Sequence, residues 1–366
     1  MKTQISYAKD ILYRVTTIFL LIFILISCEP LTAAPPLEIK ITEIIEPKTP
    51  PALPAIYRSP YSNPLDTPRT YIEETCQSLR KKWDPLSAEP GTVVMIIMFH
   101  EIQRGTIDTL DGMSVFNFDK IMLKLKEQGF KAINTKQFLA FMERNVKIPL
   151  RSVLIIQDGS YNAENFDNNF REYWETWDWP IVNGWVSELD MPRSIWDENI
   201  ALEREGWVDH QAQGVIPGTV LSDDTSKVVI IRELEGSLTA FANRFGKTPY
   251  AIIWPGGGFG LRPVQAARQL GYQLGFTANS RGPVMYNWVP LADEVDPMRP
   301  TYIPEGSIND PLMTLPRYSP DQALDSIDAV RSTGKQAAAY AYANKDTELE
   351  YYETVCRPTF GPMPSP

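Results

Sequence analysis

His100 and His210 are the only histidines among 366 residues. The side chains best suited to chemistry lie at the ends of three apolar runs. Ser152 to Ile156 closes in Gln157-Asp158-Gly159, a second segment reads Gly206-Trp207-Val208-Asp209-His210, and a third passes from Ala251-Ile252-Ile253 into Trp254-Pro255 and three glycines. Aspartate and histidine are the residue types that ligate a divalent metal or move a proton. Gln157 is not, because an amide cannot accept a proton near neutral pH. Plainer readings stand beside these. Asp158 is also a turn residue bonded to backbone, His210 a hydrogen-bonded pocket histidine, and His100 a structural ring at the strand ends. Asp223-Asp224 reads as a carboxylate pair for acid–base work or as the cap of a helix starting near Ser226. Gly256 to Gly258 is no phosphate loop, since no Lys-Ser/Thr follows.

The elements around these residues alternate. Thr92 to Phe99 is a continuous apolar run, as in a strand buried on both faces. Phe118 to Gln128 has helical spacing and stops at Gly129. A helix over Lys136–Arg144, a strand at Val153–Ile156, a helix over Asn168–Trp177 and a strand at Ile181–Val186 follow. Beyond them come helices at Ile195–Glu205, Ser226–Phe245 and Val264–Leu270, with strands at Ala251–Trp254 and Gly271–Thr277. This is an α/β chain with a parallel sheet or barrel. Its site belongs at the C-terminal strand ends, where Phe99-His100, Gln157-Asp158, His210 and Trp254-Pro255 stand.

In order and spacing the series resembles the polysaccharide deacetylases of the NodB-homology type. Met98-Phe99-His100 is similar to their opening strand, Leu154 to Gly159 to their Thr-Phe-Asp-Asp-Gly, and Ala251 to Gly258 to their Pro-Tyr-Gly turn. Gly271-Tyr272 with Phe276-Thr277, and Leu315-Pro316-Arg317, are similar to their last strands. The resemblance implies a (β/α)7-like, distorted TIM barrel over residues 91–330. It also implies a zinc-like divalent metal held by Asp158 and His210, and a glycan met by His100, Trp254 and Pro255. The departures bear on mechanism. Gln157 stands where the family has its base. Gly214 replaces the second histidine of a His-x-x-x-His pair begun by His210. No late histidine is available to protonate a leaving amine, and Trp254 stands where the family's arginine precedes proline. Two ligands are one short of a catalytic zinc site. Asp209, Glu101 and His100 are the candidates for a third, and without it the metal is weak or absent.

The N-terminus points to export. Lys2, Lys9 and Arg14 precede the apolar run Ile18–Ile26, which is short for a membrane span and suits a signal peptide over residues 1–27. It ends in Ser27-Cys28, similar to a bacterial lipobox, with Cys28 as the lipidated residue and the membrane as partner through that lipid; an uncleaved signal anchor is the alternative. Residues 28–90 carry twelve of the 31 prolines and read as a spacer with a short helix near Tyr71–Lys82. Residues 331–366 read as a C-terminal helix and Pro-rich tail. With Cys28 used for lipid, Cys76 and Cys356 form an even pair, read as a disulfide of an oxidising compartment or as two separate thiols. The net charge of −10 provides no basic stripe for nucleic acid. Six of the nine tryptophans, Trp174 to Trp207, offer a glycan-stacking rim or core packing. Three functions remain: a cell-envelope lipoprotein that binds or acts on a polysaccharide with deacetylation reduced or lost, an active deacetylase with a rearranged metal site, and a non-catalytic structural lipoprotein. Oligomeric state is not legible.

Overall fold

Seven apolar segments lie side by side and parallel, and their side chains alternate between two buried faces. The computed structural model describes residues 49–105, 107, 112–295, 297–298 and 304–365. Strand β1 (Asp66–Arg69) belongs to the N-terminal arm. The barrel strands are β2 (Val93–Phe99), β6 (Arg151–Asp158), β7 (Ile181–Trp185), β8 (Val208–Ala212), β9 (Ala251–Ile253) and β10 (Leu274–Phe276), neighbours in the order β10-β9-β8-β7-β6-β2. Between β2 and β6 come the short pair β3 (Glu101–Gln103) and β4 (Gly112–Ser114), then β5 (Lys131–Ala132), which pairs with β6. Leu315–Tyr318 closes the circle. Leu315 bridges Phe276 of β10 and Tyr318 bridges Ile97 of β2, both in parallel. The seventh stave is thus the Leu-Pro-Arg segment, whose proline lacks the donor a full strand needs. The result is a mixed α/β, distorted (β/α)7 barrel.

Even-numbered residues of β2 and β6 (Val94, Ile96, Leu154, Ile156) pack with Val182, Ile253, Leu274 and Phe276 inside the barrel. Odd-numbered ones (Val93, Met95, Ile97, Val153, Ile155) pack outward against Phe118 and Phe170 of the helix layer. Period-two alternation therefore assigns each strand-end side chain to the mouth or to the outer layer.

The helices are α1 (Thr75–Trp83), α2 (Val115–Glu127), α3 (Thr135–Arg144), α4 (Ala163–Asn169), α5 (Arg171–Trp177), α6 (Arg193–Glu205), α7 (Lys227–Arg244), α8 (Leu261–Gln269), α9 (Pro320–Ala343), α10 (Lys345–Tyr351) and α11 (Arg357–Phe360). The single helix expected over Asn168–Trp177 is two, broken at Phe170. Asp223 does not cap the helix that follows it. Ser226 caps α7, while the Asp223 carboxylate accepts from the backbone N–H groups of Leu261 and Arg262 at the start of α8.

Residues 49–90 are no free spacer. β1 pairs antiparallel with β12 (Val289–Ala292), and β11 (Val284–Met285) extends the sheet beyond β2. The boundary drawn at residue 330 falls inside α9, which crosses the strand leading from Gly91. A β-carbon on Gly91 would collide with the Gly334 carbonyl and Ala338. Two glycines here allow backbone to lie on backbone.

Cys76 of α1 and Cys356 beyond α10 form a disulfide, with Cα atoms 5.3 Å apart and a sequence separation of 280. They pack with Leu79 and Tyr352 in a small cluster of their own. Reduction is expected to cost about 2–4 kcal/mol, chiefly by releasing a long loop in the unfolded chain. Guanidinium unfolding with and without reductant measures this, and coincident midpoints would refute it. Cys28 and the signal segment lie outside the described residues. Among the described residues no helix is long and apolar enough to cross a membrane.

Candidate active site at the barrel mouth

Asp158 ends β6 on the inner face, and three side chains converge on it. Arg317, on the closing segment, places Nη1 3.2 Å from Oδ2. His100, just past β2, places Nε2 3.2 Å from the same oxygen. Gln213, just past β8, donates from Nε2 to Oδ1. Arg317 also donates from Nε to the Thr277 carbonyl. The Asp158 and Arg317 side chains are 6% and 1% exposed, against 36% for His100. Burial is the largest influence on the Asp158 carboxyl and opposes its ionisation. Arg317, then His100, outweigh it together and hold the pKa below the usual carboxylate value. Burial lowers the Arg317 pKa as well, and Asp158 pulls it back. Arg317 and Gln213 were not among the sequence candidates. An arginine after Leu-Pro read only as strand, and Gln213 is set in place by alternation along β8.

Gln157 faces the other way. By alternation it belongs to the outer face, and its amide donates to the His100 carbonyl. It fixes the backbone that carries His100. Its Oε1 and the Oδ1 of Asn183, in register on β7, are buried without protein partners.

His210 is not brought to Asp158. It sits in register with Asn183 on the outer face of β8 and is fully buried. Nδ1 lies 2.8 Å from Glu203 Oε2, and Nε2 lies 3.0 Å from Asn199 Oδ1, both on α6. The ring stacks on Phe245 at 4.8 Å. Both ring nitrogens are engaged away from the mouth, so the expected ligand pair is corrected: one residue of strand phase separates His210 from the inner face. Asp209, a proposed third ligand, is held by Lys247 at 2.8 Å, and Glu101 is exposed.

Burial is the main effect on His210 and lowers its pKa, with Glu203 opposing. The folded pKa therefore lies below the unfolded value of about 6.5. The unfolded chain takes up the proton first, so this part of the stability is intact above about pH 6.5 and declines as pH falls below it, with a slope of at most about 1.4 kcal/mol per pH unit. Melting temperature measured from pH 7.5 to 5.5 is expected to fall more steeply in the native protein than in His210→Gln. Parallel profiles would refute this.

Trp254 and Pro255 are placed differently from expectation as well. The Trp254 indole is fully buried in the outer layer and donates to the Met313 carbonyl at 2.8 Å. Pro255 is buried too and backs onto Gly214. Of the six clustered tryptophans, Trp179, Trp185, Trp196 and Trp207 are buried, while Trp174 and Trp177 pack partly buried against the core. They are packing residues.

Comparison with solved structures decides the architecture. The Streptococcus pyogenes deacetylase PplD, solved in complex with acetate, matches with a TM-score of 0.51 and 18% identity, over 65% of this chain and 99% of that one. This is the polysaccharide deacetylase fold. A de-N-acetylase from Aggregatibacter actinomycetemcomitans (TM-score 0.49, 14% identity, 65% of this chain and 99% of that one) and a polysaccharide deacetylase from Bacillus cereus (0.47, 18%, 64% and 69%) lie further off. No protein-family sequence profile matches the chain, and no curated protein matches it in sequence.

The deacetylase fold raises the question of a divalent metal, and the residues present do not fit one. Both Asp158 oxygens are taken, one by a guanidinium whose charge would repel the ion. Among the described residues no three His, Cys, Asp or Glu side chains group to hold a metal. What the mouth offers is a neutralised ion pair, amides and one half-exposed imidazole, a hydrogen-bonding surface rather than a Lewis acid.

Proposed function

We infer that this chain is an exported, cell-envelope protein that uses the deacetylase fold to bind a polysaccharide, with metal-dependent N- or O-deacetylation reduced or lost. The observation that carries the reading is the Asp158–Arg317 pair. A cation belonging to the chain itself occupies the carboxylate that the family resemblance assigns to the metal. Gln157 adds to it, because an amide supplies no general base. Asp158 thus serves as an anchor that orients His100, and the half-exposed ring is the polar group best placed to meet a sugar. The Cys76–Cys356 disulfide supports an oxidising compartment, and the Ser27-Cys28 sequence supports a lipid anchor at Cys28.

One observation favours a second reading, an active deacetylase with a rearranged site. The His100–Asp158 pair is the arrangement of a histidine base held by a carboxylate, 3.2 Å apart. One experiment separates the two readings. The native protein is titrated with partly deacetylated and fully N- or O-acetylated oligosaccharides, with acetate release and metal content measured on the same sample. Saturable binding that weakens about 3–10-fold in His100→Ala, the loss expected of a hydrogen bond or two, without turnover supports the first. Turnover abolished by His100→Ala supports the second. Neither binding nor turnover would sink both.

A further inference from the structure

A cavity lies on the flank of the barrel, and Asp158 is not part of its lining. It has a volume of about 490 Å³ and is bounded by the turn at residues 61–63, the loop at residues 280–283 and the first half of α9. That volume is within the range of small-molecule sites, roughly 300–1,000 Å³. Tyr318 lies on its wall with its ring packed into the core and only 7% of the residue exposed. Its hydroxyl makes no hydrogen bond among the described residues and is not one of their buried unpartnered atoms. Around it stand the short hydroxyl side chains Ser280 and Ser326, with the half-exposed ring of Tyr61 at the rim.

The charges select the ligand. Arg281 lines the cavity with its charge balanced, Nε lying 3.1 Å from Glu305 and 3.9 Å from Asp66, while its Nη2 is buried without a hydrogen-bond partner among the described residues. Asp325 at the lip disfavours an anion. Among the described residues that line the cavity, Arg281 is the one cation and is already paired with carboxylates, and no cluster of carboxylates is present to attract a metal. Hydroxyls, a tyrosine hydroxyl and an aromatic face suit a neutral, polyhydroxylated ring, which accepts and donates hydrogen bonds and stacks its apolar face.

We propose that this flank cavity is a saccharide subsite, separate from the barrel mouth, in which the Tyr318 hydroxyl and Ser326 hold one sugar unit against Tyr61. It rests on the glycan-binding reading only for the class of ligand. Such a subsite would hold a polymer on the protein independently of any chemistry at Asp158.

The test uses the full chain and two probes, tetramers of β-1,4-linked N-acetylglucosamine and of glucose, followed by calorimetry. Tyr318→Phe removes one oxygen and is expected to weaken binding 3- to 10-fold. Ser326→Trp fills the cavity from the surface of α9 and is expected to abolish it. Val228→Ala, on the exposed face of α7 and outside the cavity lining, is expected to leave it within 2-fold. Unchanged melting temperatures show that the variants fold. Unchanged binding in Tyr318→Phe and Ser326→Trp, or equal loss in all three variants, overturns a separate subsite and leaves the mouth reading standing. No saturable binding of either probe by the native protein overturns the subsite too, and acetate release at the mouth is then judged separately.

Discussion

Arg317→Gln is expected to destabilise the fold by about 3–5 kcal/mol, the usual cost of leaving one partner of a buried ion pair uncompensated. Asp158 is 6% exposed and its charge is balanced by Arg317. Without the guanidinium, burial dominates the carboxyl and pushes its pKa upward. In the native protein the folded pKa is depressed, so the pair contributes stability that is present above the unfolded value of about 3.9 and is lost as pH falls through the folded value. In Arg317→Gln that contribution disappears, and the penalty is greatest near neutral pH. Asp158→Asn with Arg317→Gln removes both charges, and its loss should be smaller than the sum of the two single losses. Urea unfolding of the four proteins at pH 7 measures the coupling. A single-variant loss under about 1 kcal/mol would mean that the pair is as weak as a surface bridge.

Turnover is the second large effect. Deacetylation requires an activated water, a base to take its proton and an acid for the leaving group. Missing a general base alone costs 10²–10⁴-fold, so acetate release from acetylated oligosaccharides is expected below about 10⁻² s⁻¹. Metal-dependent release at about 1 s⁻¹ or more would defeat this and place the chemistry on His100. The structure also indicates which substitutions should create a metal site. Gly214→His, the choice suggested by the His-x-x-x-His spacing, is blocked. Gly214 has a φ of +96°, and a β-carbon there would press on the Glu233 carboxylate at 3.0 Å. That carboxylate is already holding the backbone N–H groups of Val215 and Ile216. Arg317→Gln with Gln213→His instead removes the resident cation and sets an imidazole beside Asp158 and His100. Zinc affinity in the double variant is expected to rise at least tenfold by titration calorimetry, and an unchanged affinity would mean that Arg317 is not what excludes the ion.

Much of the architecture was legible in the chain. Continuous apolar runs such as Val93–Phe99, short for a buried helix, read as strands covered on both faces, and helical spacing between them points to parallel connections. The strand ends therefore located His100 and Asp158 at the mouth. The even cysteine count made a Cys76–Cys356 bond one of two readings. What the linear order could not supply was strand phase. His210 reads as a ligand through its resemblance to the first histidine of a His-x-x-x-His pair, yet a side chain two positions from the end of β8 faces out, and Gln213 faces in. Nor could it supply partners brought by closure. Arg317 lies 159 residues from Asp158, and Asp223 caps a helix 38 residues away. Composition and local periodicity settle which segments are strands and helices, because hydrophobic burial acts along each element. Which side chains share the mouth depends on register and barrel closure, and those exist only once the strands have paired.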